Sequence, residues 1–186
     1  SDKAELVAVH GRRRVGKTKL ILRSCEGTPT VYLFVARKNE GDLCERFAQV
    51  ISSSLNIHFS NATRSFADLF ASLMEIGRNM SFNLVLDEFQ EFYYINETVY
   101  SEMQDIWDRM KEVTRINLIV SGSVKTLMHR IFKDSHEPLY GRADRSMHIK
   151  PFTTGVLKEI LHDFHPNYTN DDLLALYTFT GGVPKY

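Results

Sequence analysis

Two short stretches hold the residues best suited to chemistry. The first is Gly11-Arg12-Arg13-Arg14-Val15-Gly16-Lys17-Thr18, which satisfies G-x-x-x-x-G-K-[ST] in full. An apolar segment precedes it and a helical pattern follows, which is the context this phosphate loop requires. Glycine lets the backbone turn tightly and approach a phosphate, so that several main-chain N–H groups and the positive end of the following helix face the anion. Lys17 is expected to reach the terminal phosphates, and the Thr18 hydroxyl to ligate Mg²⁺. The loop from Gly11 to Thr18, with Val15 and the adjoining Lys19, is therefore the candidate nucleotide cradle. For Arg12, Arg13 and Arg14 two readings stand side by side: added cationic field at the mouth of a site, or a solvated loop.

The second stretch is Asn83-Leu84-Val85-Leu86-Asp87-Glu88, an apolar run ending in two carboxylates. Strand ends of this kind face the ligand crevice of a parallel sheet. Asp87 would then meet the Mg²⁺ held by Thr18, and Glu88 would polarise the attacking water as a general base. Alone, an apolar strand ending in Asp-Glu marks a solvated strand end; beside a phosphate loop it marks a hydrolytic site. Ser121 or Ser123, after the apolar run Ile116–Val120, could read the γ-phosphate or the water, or could cap the next helix. The chain has no Asn-Lys-x-Asp segment of the kind that selects guanine, so ATP is favoured over GTP.

These residues need a scaffold, and the hydrophobic pattern supplies one. Strands are expected at Glu5–His10, Thr30–Ala36, Asn83–Asp87, Ile116–Val120 and Arg145–Lys150. Helical spacing runs from Lys17 to about Cys25, Gly41 to Leu55, Phe66 to Met80, Glu97 to Val113 and Val124 to Phe132, then Thr153 to His162 and Asp171 to Thr178. The stripe Val99, Met103, Ile106, Trp107 and Met110 reads as core rather than a partner face. Alternating strands and helices specify an α/β fold: a parallel sheet with helices on both faces. After Pro151 the pattern becomes purely helical, so the expected division is residues 1–151 as the core and 152–186 as the start of a helical lid.

The totals narrow the class. The chain has 186 residues with 43% hydrophobic and 25% charged residues, which suits one globular domain. A net charge of +0 lacks the basic footprint of a dedicated nucleic-acid binder. Cys25 and Cys44 form neither a metal spacing nor a disulfide framework, which points to a reducing, cytoplasmic setting. No apolar run is long enough to span a bilayer, and the polar opening lacks the pattern of a signal peptide. The abrupt start and the finish at Gly181-Gly182-Val183-Pro184-Lys185-Tyr186 lead to the expectation of a fragment of a longer protein. His162 and His165 are spaced like ligands, but nothing completes a set with them.

The blocks GRRRVGKT, LVLDEFQEF, LIVSGS, PLYGRADRSMHIKPF and TGGVPKY, in this order over nearly the whole chain, resemble the archaeal/bacterial ATPase family of the STAND class of P-loop NTPases. The resemblance implies a three-layer, AAA+-like core with a RecA/ASCE-type sheet of order 5-1-4-3-2, in which the fourth strand separates the strands of the two motifs. A small helical region after the core, and commonly a C-terminal winged-helix or nuclease-like domain, is also implied. It puts nucleotide at Gly11 to Thr18, magnesium at Thr18 and Asp87, and the catalytic acid at Glu88. Arg142, which the residues alone would leave on the surface, becomes by resemblance a γ-phosphate-reading arginine. Gly182 and Pro184 resemble the glycine–proline signature that couples the helical part to the nucleotide. Family members usually carry a Gly-Arg-Glu segment and a helix before the first strand that help form the base pocket; this chain begins after that point.

The expected function is an ATP- and Mg²⁺-dependent hydrolase working as a nucleotide-driven switch. ATP and ADP are its expected ligands, a protein or DNA partner is admitted through further domains, oligomers are admitted and a membrane is not. Two rivals are a DNA-associated ATPase or motor, and a module that holds nucleotide with little turnover. Neutral net charge and the lack of a second RecA-like half argue against a helicase.

Overall fold

In the strand Phe82–Asp87 every residue is buried, as expected of a parallel strand packed on both faces. It is the third of five, here named β1 (Glu5–His10), β2 (Thr30–Phe34), β3 (Phe82–Asp87), β4 (Ile116–Gly122) and β5 (Arg145–His148). In this computed structural model, which describes residues 3–59 and 65–184, all five are parallel in the order β2-β3-β4-β1-β5. That is the expected order read from the other edge. Ser1, Asp2, Lys185 and Tyr186, at the ends of the sequence patterns read above, lie outside the described residues.

The helices are α1 (Lys17–Ser24), α2 (Glu40–Leu55), α3 (Phe66–Asn79), α4 (Phe92–Ile95), α5 (Thr98–Met110), α6 (Lys125–Lys133), α7 (Thr154–Phe164) and α8 (Asn170–Thr180). Strand alternation sends Leu6, Ala8, Leu84, Leu86, Leu118 and Val120 to one face, into the main core with α2, α3, α5 and α6. Val9, Val85 and Ile119 point to the other face and pack against Ile21 and Cys25 of α1 and its end. The result is three layers, as the alternating pattern requires. Cys25 and Cys44 are buried and free. Among the described residues no helix is long and apolar enough to cross a membrane.

Local chemistry sets the ends. The Asn39, Ser65, Thr153 and Thr169 side chains accept hydrogen bonds from first-turn N–H groups and start α2, α3, α7 and α8. One feature has no counterpart in the periodicity: after β3 the chain enters a 3-10 turn, Phe89–Glu91, and then the short α4. Phe89 and Phe92 are fully buried there, with their rings 5.9 Å apart at 78°. β5 also stops at His148, short of the expected Lys150, and all four of its residues are exposed.

The last two helices form a hairpin, and the chain leaving it bonds the segment that leads into it. Phe152 N donates to Gly182 O at 2.8 Å. Gly182 has φ +74, and a Cβ there would collide with the Phe152 carbonyl, so both the turn and the approach need glycine.

Candidate active site

The loop between β1 and α1 is shaped by two backbone demands. Gly16 has φ +96, a conformation that costs other residues dearly, and Gly11 lies so close to the Ile149 carbonyl that a Cβ would collide with it. Arg14 also takes a positive φ of 67°. Gly16 opens α1 with no side-chain cap and no acidic residue in the first turn, so the positive end of the helix is left for an anion.

Lys17 is only 6% exposed. Its Nζ donates to the carbonyls of Gly11 at 2.9 Å and Arg12 at 3.1 Å, which holds the ammonium across the loop. Burial lowers its pKa from the usual lysine value, while Glu88 and Asp87 pull the other way by favouring the charged form.

Across from the loop, the C-terminal end of β3 presents Asp87. Its Oδ2 accepts from Thr18 Oγ1 at 2.8 Å and from Tyr32 OH at 2.6 Å. Oδ1 accepts from Glu88 N at 3.0 Å and from Ser121 Oγ. The sheet register explains the gathering: Asp87 sits beside Phe34 of β2, and Ser121 is the penultimate residue of the neighbouring β4. The Tyr32 phenol is pushed well above its usual pKa, first by burial and then by its bond to Asp87. It therefore acts as a neutral donor to the carboxylate.

Glu88 follows in a left-handed conformation, φ 56 and ψ 41. Its Oε2 accepts from Ser123 Oγ at 2.7 Å, Ser123 N at 3.3 Å and Gln90 Nε2 at 2.6 Å. Thus Ser121 serves Asp87 from beneath and Ser123 serves Glu88; neither caps α6, whose N-cap Val124 has no side-chain hydrogen bond.

A cleft of about 990 Å³ joins these groups. Of the expected residues it is lined by Arg13, Arg14, Gly16, Lys17, Thr18, Lys19, Asp87, Glu88, Ser123 and Pro184. Gly11, Val15 and Ser121 are buried behind it and shape it indirectly. Arg12 is exposed and does not line it. The cleft also takes in Tyr32, Phe34 to Arg37 and Glu91, which the sequence reading passed over. Tyr32 lies in the middle of β2, and nothing in its sequence context sets it apart from the other aromatic residues of that strand.

Arg142 needs correction. It lies in a separate hollow with Trp107, Asp108 and Asp144. Its guanidinium bonds Asp108 Oδ2 at 3.0 Å and the Tyr140 carbonyl at 2.9 Å. Leu6 N donates to Asp144 Oδ2 at 2.7 Å, which fixes this hollow at the N-terminal end of β1, opposite the phosphate loop. A short loop leading into a parallel strand must enter at that end, so Arg142 cannot read a phosphate bound by its own loop. His162 and His165 are both exposed, and among the described residues no group of three or more His, Cys, Asp or Glu is placed to hold a metal.

The chain is 31% identical over all 186 residues to the uncharacterized protein MJECL04 of Methanocaldococcus jannaschii, and spans 39% of that protein's length. Its fold is similar to that of the Walker-type ATPase PABY2304 of Pyrococcus abyssi, with TM-score 0.71 and 20% identity over 96% of this chain and 59% of that one. It is also similar to the STAND protein with a tetratricopeptide repeat sensor, PH0952, from Pyrococcus horikoshii, with TM-score 0.61 and 14% identity over 97% of this chain and 26% of that one. At these identities the structural likeness establishes the fold, while the family rests on the sequence, which matches over residues 1–186 the family described as an ATPase domain predominantly from Archaea. The chain belongs to that family of archaeal ATPase domains.

Proposed function

We propose that this domain binds ATP with Mg²⁺ at the loop Gly11–Thr18 and hydrolyses it, and that nucleotide state shifts the helical part on the core. The observation that carries the proposal is the convergence of Lys17, Thr18, Asp87 and Glu88 on one cleft. The two oxygen donors, Thr18 Oγ1 and Asp87 Oδ2, stand 2.8 Å apart. They suit a hard cation that takes its remaining ligands from phosphate and water. When bound, Mg²⁺ supplies charge neutralisation along the phosphates.

The chain's own residues would do the rest. The amides of the loop and the first turn of α1 bind and orient the phosphates, and Lys17 turns from its carbonyl partners to the anion. Asp87 is held by four donors and cannot swing away. Glu88, fixed by Ser123 and Gln90, would offer its carboxylate to a water and take its proton as the water oxygen bonds the γ-phosphorus and the bond from that phosphorus to the bridging oxygen breaks, releasing ADP. Ser121 positions Asp87 and has no free path to phosphate.

Residues 1–151 form the ATPase core in this reading, and 152–186 begin the helical lid. Pro184 supports the coupling: it lines the same cleft as Lys17 and Asp87 while standing just after α8. A change of ligand at the cleft is thereby felt by the hairpin, the differential contact that a switch needs.

The test is phosphate release from full-length protein with ATP and with GTP, in the presence and absence of DNA. Glu88→Gln is expected to retain ATP and lose roughly 10²- to 10⁴-fold in turnover. Hydrolysis at the parent rate in that variant would remove Glu88 as the base. Strong stimulation by DNA would favour the DNA-associated reading, and tight ATP binding without phosphate release in the parent would favour a binding module.

A further inference from the structure

We infer that Gln90 is a positioning residue for hydrolysis: its buried amide is the crosspiece that holds the Glu88 carboxylate. The inference rests on the reading of Glu88 as the base.

Gln90 is completely buried. Its Nε2 donates to Glu88 Oε2 at 2.6 Å and more weakly to Glu91 Oε1 at 3.4 Å. Both protons of the amide thus point at carboxylates. Turning the amide over would aim its oxygen at two negative groups, so the orientation is dictated by charge. The consequence falls on the other atom: Oε1 is buried without a hydrogen-bond partner. A buried carbonyl left unpaired opposes folding. An apolar side chain of similar size would fill this space without that penalty.

The surroundings are fitted to the same amide. Gly122 lies against Oε1, where a Cβ would collide with it and with the Met128 sulfur. The glycine of the segment Ser121-Gly122-Ser123 thus leaves room for Gln90, while Ser123 binds the same Glu88 oxygen from the other side. Glu88 itself is in the left-handed region, and the 3-10 turn that follows carries Gln90 back beneath it. Backbone strain, an orphaned oxygen and a bare glycine all serve one result, a fixed Oε2. Glu91 extends the contact to the rim, because its Oε2 accepts from Arg37 Nε at 2.8 Å.

The test is Gln90→Met in the full-length protein, which keeps the volume and removes both donors and the orphaned oxygen. The expected result is a turnover lowered by about tenfold to a hundredfold through misplacement of the base, with KM and the affinity for a fluorescent ATP analogue unchanged and the melting temperature equal or higher. In a Glu88→Gln background the same change should have no further effect on turnover. As a readout apart from activity, the side-chain amide of Gln90 should exchange its protons slowly in the parent and faster in Glu88→Ala. A kcat within twofold of the parent would overturn the inference, and so would a fall in melting temperature with a matching loss of nucleotide affinity, which marks a packing role. Those results leave Glu88 as the base if Glu88→Gln remains inactive; full activity of Glu88→Gln would instead remove the reading on which the inference rests.

Discussion

The two ends of the sheet carry similar charges and use them differently. At the C-terminal end, Lys17 and Asp87 are 6% and 4% exposed, and each is held by short bonds to neutral groups or backbone. At the N-terminal end, Arg142 and Asp108 satisfy each other in a half-open hollow, with side chains 28% and 40% exposed. The first arrangement keeps opposite charges close without letting them neutralise one another, which is what a ligand of mixed charge needs. The second is a finished ion pair with little left to offer. Proximity of charge marks neither end as a site; unspent charge does.

Removing Asp87 breaks the contrast most severely. Asp87→Ala strands the hydroxyls of Thr18, Tyr32 and Ser121 around an empty centre, at a cost of about 1–3 kcal/mol in stability. It should also lower Mg²⁺-dependent turnover on the order of a hundredfold. Thermal melting and phosphate release check the two parts separately. Arg142→Ala should do far less. An exposed pair of this kind contributes about 0–1 kcal/mol, and ATP affinity of the isolated subunit should not change. A loss of affinity there would mean the two ends are not separate.

A subtler difference appears in acid. His10, the last residue of β1, stacks on His148 with ring centres 4.8 Å apart. Its pKa is lowered, first by burial and then by the positive fields of His148, Lys125, His129 and Lys133. A lowered pKa in the fold means that the unfolded chain binds the proton more readily. The neutral imidazole's stability is therefore intact above the ordinary histidine value of 6.5 and is lost as pH falls below it. Melting temperature should decline from pH 7 to pH 5, and less steeply in His10→Phe. Equal slopes in the two proteins would show that this stack does not sense pH.

Much of this was legible in the residues. β1 was placed at its observed ends, and the phosphate loop carried its own context, because glycines before a helix and a fully buried strand ending in acid are local signals. The strand order came with the family resemblance. What escaped depended on contacts distant in sequence. Tyr32 reads as an ordinary strand aromatic until the sheet brings its phenol to Asp87, 55 positions on. Gln90 falls between an expected strand and an expected helix, and only the unforeseen 3-10 turn buries it. Arg142 failed for the converse reason: a sequence block names a residue but not the end of the sheet to which its loop returns.

The central claim is that main-chain amides and the Lys17 ammonium together capture a triphosphate beside Asp87. Calorimetric titration of full-length protein with ATP, comparing Lys17→Ala with the parent, tests it most directly. The account predicts that affinity falls by about a hundredfold or more, since a buried, charge-assisted contact is lost, while the melting temperature without nucleotide changes little. Undiminished affinity in Lys17→Ala would contradict it.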